Sequence, residues 1–147
     1  MIGRTDHPVQ EALADEEEIR SVERMEEYVE NCKQVSRDLL AALKEYKARG
    51  YTIVGYGAAA KANTLLNYIE AGELINFIVD DNLKKQNLLA PGTNIPVVSS
   101  DHLPKEETDM LLVPLAWNFA DEIMERVRAK VPFPFKTLKY FPKFEIL

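Results

Sequence analysis

The chain has 147 residues, of which 46% are hydrophobic and 29% are charged, a composition typical of one globular domain with an appendage. Its net charge of −6 argues against non-specific nucleic-acid binding, which requires clustered lysines and arginines to neutralise phosphates. The single cysteine, Cys32, excludes an intrachain disulfide and a cysteine-based metal site. His7 and His102 are too far apart in sequence to suggest a metal cluster, so we predict no metal site. No residues form a convincing nucleophile–base pair, so we predict no catalytic residues.

The acidic charge is concentrated at the beginning of the chain. Residues 1–31 contain ten acidic residues against three arginines, a net charge of −7, whereas the other 116 residues contain fourteen acidic and fifteen basic residues, a net charge of +1. The first residues lack the apolar core of a signal peptide, and no apolar run approaches the roughly 20 residues that span a bilayer. We therefore expect a cytoplasmic protein without membrane contact.

A long amphipathic helix is predicted over residues 16–50, after an N-terminal arm at residues 1–15. It starts at an acidic capping sequence, DEEE, and its last turn is rich in basic residues. Gly50 follows this basic turn and ends the helix. Apolar side chains recur at helical spacing at Val22, Met25, Val29, Cys32, Leu39, Leu43 and Tyr46. Two interpretations remain open: the helix packs along the main domain, or its N-terminal half pairs with another chain and forms a homo-oligomer.

Residues 51–147 alternate between strand and helix patterns. Strands are predicted at 51–56, 74–79, 95–98, 109–115 and 135–141, and helices at 58–70 and 118–130. Because such alternation favours parallel pairing with right-handed crossovers, we predict an α/β fold: a Rossmann-like three-layer parallel sheet preceded by the long helix.

A glycine-rich turn follows the first predicted strand. Gly55, Tyr56, Gly57 and Ala58 begin a GxGxxA pattern that opens the next helix, where free N–H groups attract an anion. Lys61 lies in the first helical turn, a position at which a cation opposes the helix dipole unless an anion compensates. The pattern predicts a phosphate ligand, with helix–sheet packing by small residues as the alternative.

Further candidate ligand-binding residues follow the strands. Asp80 ends the second strand, where an acid would meet a ribose diol, and Trp117 with Asn118 follows a later strand at its carboxyl end. Trp117 could stack on a base or only cover the sheet edge, and Asn118 could simply cap the next helix. The full predicted set comprises Gly55, Tyr56, Gly57, Ala58, Lys61, Asn63, Asp80, Asn82, Lys85, Trp117 and Asn118.

Four ordered sequence blocks resemble the C-terminal domain of sugar C-methyltransferases, enzymes that use S-adenosylmethionine to methylate nucleotide-linked deoxysugars. The blocks are GYGAAAKANTLLN at 55–67, VDDN with KQ at 79–86, PGTNIP at 91–96, and LAWNFA with EI at 115–123. The resemblance covers roughly residues 20–142. One departure is Ala62, where the family often has glycine, which could crowd a ligand that approaches closely.

The resemblance implies that this domain binds a nucleotide-linked sugar, while separate zinc and methyltransferase domains supply the chemistry. We expect no cofactor on this chain, S-adenosylmethionine on a partner domain or a methyltransferase partner chain, and no methyl transfer by this chain alone. Two alternatives remain: an NAD(H)- or other nucleotide-binding module, and an assembly domain that associates through the long helix.

Overall fold

The computed structural model describes the backbone of residues 2–147 and the side chains from residue 20 onward. It divides into two compact units, Met1–Gln34 and Val35–Leu147. Helix α1 extends over Ile2–Ala48, so it starts well before the predicted residue 16. The division of the chain into an arm, a helix and a domain remains a prediction.

The C-terminal end of α1 forms a Schellman motif around Gly50. Gly50 has a φ of +83° and donates its N–H to the carbonyl of Lys47, while Tyr51 donates its N–H to the carbonyl of Tyr46. The rings of Tyr46 and Tyr51 meet edge to face with centroids 4.8 Å apart. These contacts end helix α1 at the predicted glycine, Gly50.

Seven strands and two further α-helices follow α1. The strands are β1 (Thr52–Tyr56), β2 (Phe77–Val79), β3 (Leu88–Leu89), β4 (Pro96–Val98), β5 (Met110–Pro114), β6 (Lys136–Lys139) and β7 (Glu145–Ile146). The helices are α2 (Ala60–Tyr68) and α3 (Ala120–Lys130), with 3-10 turns at Ala71–Glu73, Ser100–His102 and Trp117–Phe119.

The strands form one mixed sheet in the order β3-β4-β2-β1-β5-β6-β7. The inner pairs are parallel, which confirms the predicted α/β class. Both edge pairs, β3 with β4 and β6 with β7, are antiparallel, and the two edge strands β3 and β7 were not predicted. The edge strands have only two residues each, too few to show a sequence pattern.

Two apolar cores lie on the two faces of this sheet. One contains Leu39 and Leu43 from the end of α1 together with Leu66 of α2. The other contains Ile123 and Val127 of α3. Within the second unit the chain therefore has the predicted three layers, with Leu66, Ile123 and Val127 buried as their helical spacing predicts. Phe119, which the same spacing placed in the core, is 52% exposed because it lies in the turn before α3.

In the first unit, the described part of α1 presents large apolar side chains to solvent. Val22, Met25, Tyr28 and Val29 are between 45% and 69% exposed. None of the helices in the described part of the chain is long and apolar enough to cross a membrane.

Candidate functional site

The glycine turn after β1 is held tightly against the segment that follows β5. Gly57 has a φ of +98°, and a Cβ placed on it would lie 3.0 Å from the Cβ of Ala116. A Cβ on Gly55 would lie 2.9 Å from Cδ1 of Leu115. Both glycines therefore have a packing requirement within the protein itself, which was the alternative to the predicted phosphate contact.

The carboxylate of Asp80 closes this turn from within the protein. Its Oδ2 accepts the N–H of Ala58 at 2.8 Å, and its Oδ1 accepts the N–H of Asn82 at 2.8 Å. The ammonium of Lys85 donates to the carbonyl of Ala58 at 2.9 Å and lies 3.9 Å from Oδ2 of Asp80. The backbone amide of Ala58, which we predicted near a phosphate, thus already has an anionic partner.

Asn82 shapes the loop that follows β2. Its Oδ1 accepts the N–H of Lys84 at 3.0 Å, which forms an Asx turn. Gln86 donates its side-chain amide to the carbonyl of Asp80 at 2.9 Å. The VDDN and KQ residues therefore fold the loop back on the strand end.

Lys61 and Asn63 lie on α2, apart from the clefts described below. Lys61 is exposed in the first turn of the helix, whose N-terminus has no side-chain cap in the described residues. Oδ1 of Asn63 is buried and has no hydrogen-bond partner among the described atoms. The structure does not bring either side chain to the cleft next to Gly57.

A cleft of about 300 Å³ opens at the carboxyl ends of β1, β2 and β5. The chain leaves β1 toward β2 on one side and reaches β5 on the other, so this is the topological switch point where open α/β sheets bind ligands. Its lining residues are Tyr56, Gly57, Asp80, Asp81, Ala116, Phe119, Glu122, Ile123 and Arg126. We call it the switch-point cleft.

Tyr56, Asp81 and Arg126 form a hydrogen-bonded group in the switch-point cleft. The Tyr56 hydroxyl donates to the Asp81 carboxylate at 2.9 Å, and Arg126 Nη1 donates to Oδ2 of Asp81 at 2.8 Å. Burial, followed by the hydrogen bond to Asp81, raises the pKa of Tyr56 above its usual 10.0. The hydroxyl therefore remains a proton donor at neutral pH.

Sequence reasoning missed Asp81 and Arg126. Asp81 directly follows Asp80 within the VDDN block, so it shares the strand end that was already singled out. Arg126 lies one helical turn after Glu122 on α3, and this i, i+4 spacing places both on the face that lines the cleft. No local pattern distinguishes this arginine from the others on the helix.

Trp117 and Asn118 line a second cleft instead, of about 570 Å³. Trp117 is 40% exposed, and its ring meets that of Phe141 edge to face, with centroids 4.4 Å apart. The cleft is lined by residues 117–122 together with Lys139, Phe141, Pro142, Lys143 and Glu145. We call it the aromatic cleft, and it shares Phe119 and Glu122 with the switch-point cleft.

Asn118 does not cap α3 as its sequence position suggested. It lies inside the 3-10 turn Trp117–Phe119, and the N-cap of α3 is Phe119, without a side-chain cap hydrogen bond. The 3-10 turn moves the N-cap from Asn118 to Phe119, one residue later, so the amide of Asn118 is left at the rim of the aromatic cleft.

The first and third sequence blocks contact each other. Asn67 donates its side-chain amide to the carbonyl of Pro91 at 2.9 Å. Gly92 has a φ of +85°, and a Cβ there would collide with the Asn67 amide. A Cβ on Gly72 would lie 2.7 Å from the carbonyl oxygen of Thr93. The PGTNIP loop is thereby fastened to α2 and to the turn behind it.

Among the described residues, no group of histidine, cysteine or carboxylate side chains is arranged to hold a metal ion. The two clefts instead offer carboxylates, guanidinium and ammonium groups, a tyrosine hydroxyl and aromatic faces. These groups suit an organic ligand with hydroxyl, phosphate and ring components.

The sheet order and the cleft at its switch point define a Rossmann-like α/β domain. Residues 3–133 match the family described as the C-methyltransferase C-terminal domain, and this chain belongs to that family. The chain is 32% identical over 127 residues to the C-methyltransferase NovU of Streptomyces niveus. That match covers 82% of this chain and 30% of NovU, so the chain spans less than a third of this relative.

Proposed function

We propose that this domain binds the nucleotide-linked sugar substrate of a C-methyltransferase, with the sugar in the switch-point cleft. The observation that carries the proposal is the Tyr56–Asp81–Arg126 group, which lines a cleft at the ligand-binding edge of the sheet. Membership of the C-methyltransferase family supports a substrate of that reaction as the ligand.

The charges in the cleft favour the sugar over the phosphates at this position. Asp80, Asp81 and Glu122 line the cleft against a single cation, Arg126, so the local charge is negative among its described lining residues. Carboxylates accept hydrogen bonds from sugar hydroxyls, and Arg126 can donate to a ring or carbonyl oxygen. We therefore assign the hydroxyl-bearing part of the ligand to this cleft and its phosphates to the rim.

We assign methyl transfer to other parts of the enzyme, in which S-adenosylmethionine would bind on another domain or on a partner chain. The raised pKa of Tyr56 makes this residue a poor general base, because its hydroxyl stays protonated and donates a hydrogen bond to the Asp81 carboxylate. The contribution of this domain is to hold and orient the substrate.

Isothermal titration calorimetry on the whole chain tests this function with thymidine and uridine diphosphate sugars, NAD and S-adenosylmethionine as ligands. We expect a nucleotide-sugar to bind, and Asp81→Asn to weaken it roughly tenfold or more, since it perturbs a charge-assisted network worth about 1.5–3 kcal/mol per hydrogen bond. Asp101→Asn is the matched control, because Asp101 is an exposed aspartate that also pairs with a cation, Lys130, at 3.8 Å.

Two results would contradict the proposal. Binding of NAD without binding of any nucleotide-sugar would favour the dinucleotide alternative. A nucleotide-sugar affinity that falls equally in Asp81→Asn and Asp101→Asn would place the ligand outside the switch-point cleft.

The exposed apolar residues of α1 favour a second role, association between copies of this chain. Val22, Met25 and Val29 recur at helical spacing and are exposed, which is the arrangement of an unpaired coiled-coil seam. We propose that they form a homo-oligomer. Sedimentation equilibrium should then show a lower mass in solution for the Met25→Glu and Val29→Glu variants than for the unmodified chain. An unchanged mass in solution would refute association through this seam.

A further inference from the structure

We infer that the aromatic cleft binds the nucleobase of the nucleotide-sugar, so that the ligand spans both clefts. This inference rests on the proposed function, because it assigns the remaining part of the same ligand. It concerns Trp117 and Phe141, which take no part in the Tyr56–Asp81–Arg126 group.

The two clefts adjoin, since Phe119 and Glu122 line both of them. A nucleotide-sugar has two unlike ends, a hydroxyl-rich sugar and a flat aromatic base, connected by phosphates. The switch-point cleft offers carboxylates and a tyrosine hydroxyl, whereas the aromatic cleft offers ring faces. The unlike chemistry of the two clefts therefore matches the unlike ends of one ligand.

Trp117 can accept a base because much of its ring remains open to solvent. It is 40% exposed, and its contact with Phe141 is inclined at 63° rather than face to face, so the pair leaves part of the aromatic surface uncovered. Bases stack on such surfaces with little dependence on sequence, because every base has a π-face.

Two lysines in the aromatic cleft can meet the phosphates. Lys139 pairs with Asp121 at 3.0 Å, and Lys143 pairs with Glu145 at 3.4 Å. In each pair one member is open to water, Asp121 at 88% and Lys143 at 81%, while Lys139 and Glu145 are 23% and 36% exposed, so solvent screens both pairs. A diphosphate can therefore compete for these ammonium groups.

The composition of the aromatic cleft distinguishes a nucleotide from an apolar protein segment. Charged side chains line it alongside the rings, whereas the centre of a protein–protein interface is depleted of charges. A ligand that carries a ring, anionic groups and hydroxyls matches this lining, because the phosphates can meet the two lysines and the hydroxyls can donate to the carboxylates of Asp121, Glu122 and Glu145.

Fluorescence offers a direct test, because Trp117 is the single tryptophan of the chain. A nucleoside diphosphate that stacks on it should quench its emission, and a sugar phosphate without a base should not. Free N-acetyltryptophanamide titrated with the same nucleotides corrects for absorption by the base. Calorimetry run in parallel reports binding independently of the fluorophore.

Three variants complete the design. Trp117→Ala should weaken nucleoside diphosphate binding about fivefold or more, as expected for the loss of one stacked base, while Trp117→Phe should retain most of the affinity. Phe144→Ala is the matched control, since Phe144 is an aromatic residue of similar exposure, 37%, that lines neither cleft.

The outcomes separate this inference from the proposed function. If calorimetry shows nucleotide-sugar binding but Trp117 is not quenched and Trp117→Ala binds normally, the base lies elsewhere and only this inference is overturned. If no nucleotide-sugar binds by calorimetry, the proposed function fails together with it. Equal losses in Trp117→Ala and Phe144→Ala would also overturn the inference.

Discussion

Replacing Asp80 tests the interpretation that this carboxylate is a structural part of the glycine turn. Its side chain is only 12% exposed, and its two oxygens accept the N–H groups of Ala58 and Asn82, each at 2.8 Å. Asp80→Ala removes both hydrogen bonds and leaves Lys85 without its nearby anion. Asp80→Asn retains one acceptor oxygen and removes the charge.

The expected loss follows from these contacts. Hydrogen bonds to a charged group contribute about 1.5–3 kcal/mol each, and the part-exposed site allows water to replace some of that. We therefore expect Asp80→Ala to lower the free energy of unfolding by about 3 kcal/mol and Asp80→Asn by about half as much. At roughly 2–4 °C per kcal/mol for a chain of this size, Asp80→Ala should melt about 6–12 °C lower.

Urea unfolding followed by circular dichroism, with Asp101→Ala as control, measures these losses. Asp101 is 86% exposed and its ion pair with Lys130 spans 3.8 Å, so its removal should change stability by less than about 0.5 kcal/mol. An Asp80→Ala protein as stable as Asp101→Ala would refute the assignment of Asp80 to the turn. Its carboxylate would then be free for the ribose contact that its sequence position first suggested.

Two further predictions concern Gly57 and Tyr140. Gly57→Ala should destabilise the protein by about 2–4 kcal/mol, because it adds left-handed backbone strain and a 3.0 Å contact with the Cβ of Ala116. Gly50 has a similar φ with nothing within 4 Å of its Cβ position, so Gly50→Ala should show the backbone strain alone. Equal losses of stability in thermal melts of the two variants would refute the contact with Ala116. Burial raises the pKa of Tyr140 from 10.0 to about 12, so its protonated hydroxyl contributes fully to the free energy of unfolding below pH 10. As the pH rises toward 12, this contribution, up to about 2.7 kcal/mol, is lost because the unfolded state loses its tyrosine proton first. Urea unfolding over this range should show a shallower alkaline decline for Tyr140→Phe, and an unchanged decline would contradict this assignment.

The sequence was a good guide to the elements whose signals are local. The stop of α1 at Gly50 depends on one glycine and its neighbours, and β1 and β5 are continuous apolar runs. The early start of α1 at Ile2 was missed because the acidic DEEE sequence suggested a helix that begins near residue 16. The antiparallel edge strands were missed because their pairing depends on where the chain returns, which no periodicity encodes.

The candidate site was predicted only in part, because its members meet through the tertiary fold. Tyr56, Gly57 and Asp80 do line one cleft, as their positions at strand ends suggested. Arg126 reaches the same cleft only because α3 packs across that face of the sheet, which the sequence does not reveal. The role of Asp80 as acceptor for the turn likewise depends on the pairing of β1 with β2.

The contact between Asn67 and the PGTNIP loop affects how this family's sequences should be interpreted. Asn67 belongs to the first block and Pro91 to the third, and their hydrogen bond, with the crowded Gly92, couples two motifs for reasons of assembly alone. The Asn67 end of the first block is therefore tied to the loop, whereas its Tyr56 end lines the switch-point cleft. On the proposed function, ligand differences between members should be sought at cleft-lining positions such as Asp81, Trp117 and Arg126, away from the contact between Asn67 and the loop.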